Sequence, residues 1–220
     1  MLESQFGPDD PDLVFSLNNL GGLMLVRGRL SEAAQLRERS LEMRERSYPA
    51  VDTEVLLAIE NLASVRLAQK QYKEAQRLFE RARKAWEELR PGAPEAAIAL
   101  NGLGAVALRN KRKDQAAMLF REAIDRWPPD AEPLLPAQVL GNLATVVGPA
   151  EALAQYSRAV ALVEKHGGAE HPLLAPLYDA QAACLRRLHR ARESRELAAR
   201  ARRVRQANPT CLSVDVSSLK

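Results

Sequence analysis

Aromatic residues are scarce in this chain. Phe, Trp and Tyr make up 5% of 220 residues. Runs of β-branched residues are few as well, and both shortages favour helix over strand. There are two cysteines, Cys184 and Cys211, one in a predicted helix and one near the end, so no disulfide framework is implied. That usage fits a reducing, intracellular compartment, most simply the cytoplasm. No uninterrupted apolar stretch reaches eighteen residues, so no membrane-spanning helix is expected. The first twelve residues have neither a basic region nor an apolar core, so no secretory signal is expected there. Gly-rich phosphate loops, nucleophile elbows and metalloprotease helices are missing too. Gly102-Leu103-Gly104 follows no strand and is no dinucleotide fingerprint. The expectation is a protein that is not an enzyme and carries no cofactor.

What the chain does have is apolar bulk, 46% of residues, much of it Ala and Leu. It is arranged periodically. Ser16-Leu17-Asn18-Asn19-Leu20 returns as Ala58-Ile59-Glu60-Asn61-Leu62, as Ala99-Leu100-Asn101-Gly102-Leu103 and as Val139-Leu140-Gly141-Asn142-Leu143. The marker leucine recurs at steps of 42, 41 and 40 residues. Thirteen residues after it come Ala33, Ala75 and Ala116. A unit of this size cannot bury its apolar face alone, so neighbours must stack into a solenoid.

Within each unit, apolar residues fall at helical spacing: Leu13, Leu17, Leu20 and Met24, then Ala33, Leu36, Ser40 and Met43. Pro-containing connectors separate the units, as at Pro11, Pro94 and Pro172, where Pro suits a helix's first turn. The fold class is therefore all-α, with five helix pairs at roughly 11–47, 52–90, 94–127, 134–166 and 172–207. Residues 1–10 are expected to be a connector that resembles the end of a preceding repeat, and 208–220 a disordered tail. Unit four is irregular. Only nine residues separate Leu143 from Ala152, and the loss at Gly148-Pro149 should shorten its first helix by about one turn.

The pattern resembles the tetratricopeptide repeat. The run from Gly7 to Asp12 into Ser16–Leu20, then Gly28-Arg29-Leu30-Ser31-Glu32-Ala33, is similar to the longer repeat typified by kinesin light chain. The resemblance implies a right-handed superhelix whose first helices line a concave groove. It also implies an adaptor or scaffold that holds a peptide or helix of a partner protein there.

Five asparagines stand in first helices, where Asn is a poor interior residue. The candidate groove residues are Asn18, Asn19, Glu60, Asn61, Asn101 and Asn142. Two readings stay open. The asparagines either bridge neighbouring helices or, as the resemblance implies, bond the backbone of an extended peptide. The cations that the family's carboxylate clamp needs are missing, since Phe15, Asn18, Gly22, Leu57, Glu60 and Ser64 stand at those positions. Trp86 and Trp127, 41 residues apart, are expected to pack between repeats.

Charge is uneven. The segment from Arg186 onward holds ten of the 32 basic residues and three acids, leaving 22 basic and 25 acidic residues before it. The basic surface of the last helix, with Arg200, Arg202 and Arg203, is expected to be a solvated cap. The alternative function is a nucleic-acid-associated protein, or a regulatory segment of a larger one, docking through that end. Nucleic acid is the less favoured partner because no aromatic lies among the arginines. His166, Glu170 and His171 sit in a connector without helical ligand spacing, so no metal is expected.

Overall fold

Ten helices, and no strand, are found among the described residues of the computed structural model, which are 11–127 and 134–208. The helices are α1 Pro11–Val26, α2 Leu30–Ser47, α3 Thr53–Ala68, α4 Tyr72–Leu89 and α5 Ala96–Arg109. They continue as α6 Lys113–Asp125, α7 Leu134–Ala144, α8 Pro149–Gly167, α9 Leu174–Arg187 and α10 Ala191–Ala207. Of the described residues, 81% are helical. The connector expected at 1–10 and the tail beyond Asn208 lie outside the described residues. Asn208 itself is tied down, its Nδ2 donating to the carbonyls of Glu170 at 2.8 Å and Val204 at 2.9 Å.

The turns follow from one register position. Eight residues after Leu20, Leu62, Leu103 and, at the equivalent place in the fifth repeat, Gln181 stand Gly28, Lys70, Lys111 and His189, with φ of 72°, 62°, 62° and 59°. A left-handed residue ends the first helix and lets the chain reverse within three residues. Only the first of these turns uses glycine, the residue that takes φ > 0 without steric cost.

Two compact units divide the chain, Met1–Val106 and Ala107–Lys220. In the first unit, α1 packs on α2, α2 on α3, and α3 on α4. The marker alanines Ala33 and Ala75 are fully buried, which explains their size: a larger side chain would hold the paired helices apart. Leu13, Leu17 and Met43 close one part of this core, and Met24, Ala33, Ala34 and Val65 another. Trp86 is completely buried.

In the second unit, α8 packs on α7 and on α9, and α10 on α9. Leu140, Val163, Leu174, Tyr178, Ala201 and Val204 share one core there, and Ala144, Ala152 and Cys184 another. The irregularity at Gly148-Pro149 takes the expected form at the first helix. α1, α3 and α5 end six residues after their markers, whereas α7 ends at Ala144, one residue after Leu143. Gly148 then precedes α8, with Pro149 in its first turn.

Candidate functional site

In the first unit, α1 and α3 bring two of the expected asparagines together. Asn61 Nδ2 donates to Asn18 Oδ1 at 3.3 Å, across 43 residues of sequence. The same oxygen accepts a second hydrogen bond, from Nη1 of Arg37 on α2. Two donors therefore converge on one carbonyl oxygen, and both amides are oriented by it.

Arg37 reaches Asn18 because the adjacent backbone is bare. A Cβ at Gly21 would lie 3.0 Å from Arg37 Nε, and one at Gly22 3.2 Å from its Nη2. The Gly21-Gly22 pair is thus a slot for a guanidinium. Arg37 is 8% exposed, and its Nε has no hydrogen-bond partner. Burial pulls it below the usual arginine range, because desolvation disfavours the charged form.

Asn19 is exposed on α1. Phe15 and Leu23, four residues before and after it, share that helix face and are 65% and 44% exposed, with Val26 at 72% near the helix end. Asn101 is half-buried on α5, and Asn142 half-buried on α7 in the second unit. Both have partners of their own.

Glu60, expected on or near the groove face, is 3% exposed. Its Oε1 accepts the Trp86 indole N–H at 3.1 Å, while its Oε2 is buried without a partner. Desolvation raises its pKa to about 8. The Trp86 hydrogen bond opposes that rise and the neighbouring Glu95 carboxylate adds to it. Glu60 therefore carries a proton at neutral pH, as a buried, unpaired carboxyl should. A signal was available in the sequence: α3 is apolar nearly all round, so a charged residue amid Val55–Ala63 has no solvent face to occupy.

The basic end of the second unit splits in two. Arg200 and Arg203 line a cleft of about 280 Å³ with Glu164, Glu170, Tyr178 and Val204, whereas Arg202 is simply exposed. Tyr178 donates its hydroxyl to Glu164 and also meets Arg200. Burial, with the Glu164 carboxylate, pushes the Tyr178 hydroxyl up. Arg190 pairs with Glu193, Arg192 with Glu196, and Arg205 with Asp179. Three of the basic side chains at this end are thus answered locally. Among the described residues no group of three His, Cys, Asp or Glu side chains is placed to hold a metal, and none of the helices is long and apolar enough to cross a membrane.

Residues 54–128, which contain the Asn61 amide and the buried Glu60–Trp86 pair, match the family model described as tetratricopeptide repeat. That segment is similar to tetratricopeptide repeats. The chain's fold is shared with solved repeat structures of the kinesin-light-chain kind. Nearly identical TPR-like repeats assigned to a kinesin light chain of Podosopora anserina superpose with a TM-score of 0.66, at 19% identity over 90% of this chain and 97% of that one. BtubC (BKLC) from P. vanneervenii gives 0.72, at 18% identity over 90% and 82%. Aspartyl phosphate phosphatase F from Bacillus subtilis gives 0.74, at 14% identity over 94% of this chain and 54% of that one. No curated protein sequence matches the chain. Tetratricopeptide repeats generally serve as protein-interaction scaffolds.

Proposed function

We propose that the chain is a non-catalytic intracellular adaptor whose first-helix face holds an extended peptide segment of a partner protein. One observation carries this reading. The α1 face exposes Phe15, Asn19 and Leu23 in a single helical stripe, beside the paired amides of Asn18 and Asn61. An apolar stripe left in water with amides along it suits a strand-like partner, which offers side chains to the one and backbone groups to the other. Asn101 extends the same register in the sequence within the first unit, and Asn142 takes the equivalent register position in the second. Glu60 drops out of the candidate set, being enclosed.

Docking of nucleic acid through the basic end is the weaker reading. The cleft at Arg200 and Arg203 also holds Glu164 and Glu170, which repel a phosphate backbone.

The deciding experiment pans a random-sequence decapeptide library on the full chain and measures the selected peptides by calorimetry. Phe15→Asp and Asn19→Ala should each weaken binding while leaving the melting temperature within a few degrees. Phe15 is already solvent-exposed, so its replacement removes little buried area. Selected peptides that bind both variants as tightly as the parent chain would refute this face as the site.

A further inference from the structure

The register of the second helices reveals what is unusual about Arg37. Four residues after the marker alanine stand Arg37, Phe79 and Phe120 in the first three repeats. The aromatic is the general solution and the arginine is the exception. At the next repeat boundary within the first unit, the side chain facing Phe79 is changed to match. A Cβ on Gly102 would lie 2.4 Å from Cε1 and Cζ of the Phe79 ring, so no asparagine fits where Asn61 stands one repeat earlier. The two boundaries are alternatives: arginine with asparagine, or phenylalanine with glycine. The polar version has been built at one of them by bringing a cation into the interior.

Burying a guanidinium next to bare glycine backbone costs free energy unless it gains strong partners. Arg37 has a single hydrogen-bond partner among the described residues, the Oδ1 of Asn18. For stability alone a phenylalanine would serve better. The bond instead has a directional effect. Oδ1 of Asn18 is saturated by Arg37 Nη1 and Asn61 Nδ2. Flipping the Asn18 amide would set its donor against two donors, and flipping the Asn61 amide would set an acceptor against an acceptor. The edges left over are then defined: the N–H groups of Asn18 on one helix and the carbonyl oxygen of Asn61 on the next. One donor and one acceptor side by side match the C=O and N–H that an extended backbone offers on one edge.

We propose that Arg37 is a positioning residue that locks the Asn18 and Asn61 amides, so that Asn18 presents a donor and Asn61 an acceptor to the backbone of an extended peptide. This rests on the groove reading above. It adds a direction to it, because the peptide carbonyl must face α1 and its N–H must face α3.

The test uses the full chain, the decapeptide selected above, and three variants. Arg37→Met keeps the length of the side chain and removes the donors. Arg37→Lys restores one donor to Asn18. Asn61→Ala removes the acceptor. Arg37→Met should weaken the peptide about three- to tenfold, the range for about one poorly formed neutral hydrogen bond, with Arg37→Lys closer to the parent. Its melting temperature should hold or rise, since a desolvated cation has gone. Without peptide, the side-chain amide resonances of Asn18 and Asn61 should shift and exchange faster in Arg37→Met but not in Arg37→Lys. If Asn61→Ala weakens the peptide and Arg37→Met does not, the positioning role is overturned and the groove reading stands. If no selected peptide responds to Asn61→Ala, the groove reading falls and this inference falls with it.

Discussion

The indole N–H of Trp86 and the Oε1 of Glu60 meet at 3.1 Å, with Trp86 fully buried and Glu60 nearly so. The tryptophan gains an acceptor for its one polar atom, and the carboxyl has no cation to neutralise it.

Stability should therefore fall as pH rises from about 5 to about 8. Glu60 binds its proton more tightly folded, with a pKa of about 8, than unfolded, near 4.5. The folded state thus holds more protons across that window. The favourable term is fully present below the unfolded pKa and is lost as pH rises through the folded one. Glu60→Gln keeps an acceptor for Trp86 and cannot ionise. Urea melts at pH 5 and pH 8.5 should differ in midpoint for the parent chain and differ much less for Glu60→Gln. An equal pH response in both would show that Glu60 is not the group titrating.

Asn18 and Asn61 should respond oppositely to one substitution. Asn18→Asp preserves the accepting oxygen and sets a negative charge against the buried Arg37 cation, so the melting temperature should rise. Asn61→Asp removes the donor and turns a carboxylate toward Asn18 Oδ1, so it should fall. The gap between the two melts, about 1–3 kcal/mol at the unfolding midpoint, is the quantity to measure. Matching melts would mean the amides are not joined through Oδ1.

Gly102→Ala should destabilise by about 1–3 kcal/mol, the usual cost of overpacking, despite the better helix propensity of alanine. The added methyl would meet the buried Phe79 ring. Adding Phe79→Leu should recover much of the loss by vacating that space. Chemical denaturation of the single and double variants checks it, and a neutral Gly102→Ala would contradict the packing described.

Lys70→Gly and Lys111→Gly should each stabilise the chain by up to about 1 kcal/mol. Both lysines hold φ of 62° at the turn where the first repeat uses Gly28. Thermal melts of the two variants against the parent read it directly. A loss on both would mean that the lysine side chains contribute more than the backbone strain costs.

The fold was readable because it rests on periodic features. The marker leucines, the small residues at Ala33, Ala75 and Ala116, and the Pro connectors report helix packing, and packing repeats. The shortened α7 was also readable, as a break in the count between Leu143 and Ala152. What escaped were features made by single departures from the period. Arg37 forms its bond to Asn18 only because it replaces an aromatic and lies beside two glycines. Glu60 sits in register with Asn18, so the period placed it in the groove, whereas its environment is set by a tryptophan 26 residues away. Register tells which positions are equivalent, and the neighbouring side chains decide what each equivalent position does.

The short helix α7 carries one more consequence. Its repeat lacks four residues, close to the 3.6 of a helical turn, and Ala152 still arrives buried at the place where Ala33 and Ala75 are buried. Removing a whole turn trims a helix from its end and leaves every later side chain facing as before. Removing two residues would have turned the rest of the repeat inside out. Length variation in such an array is therefore quantised, and insertions or deletions engineered at the other first-helix ends should be accepted in steps of one turn.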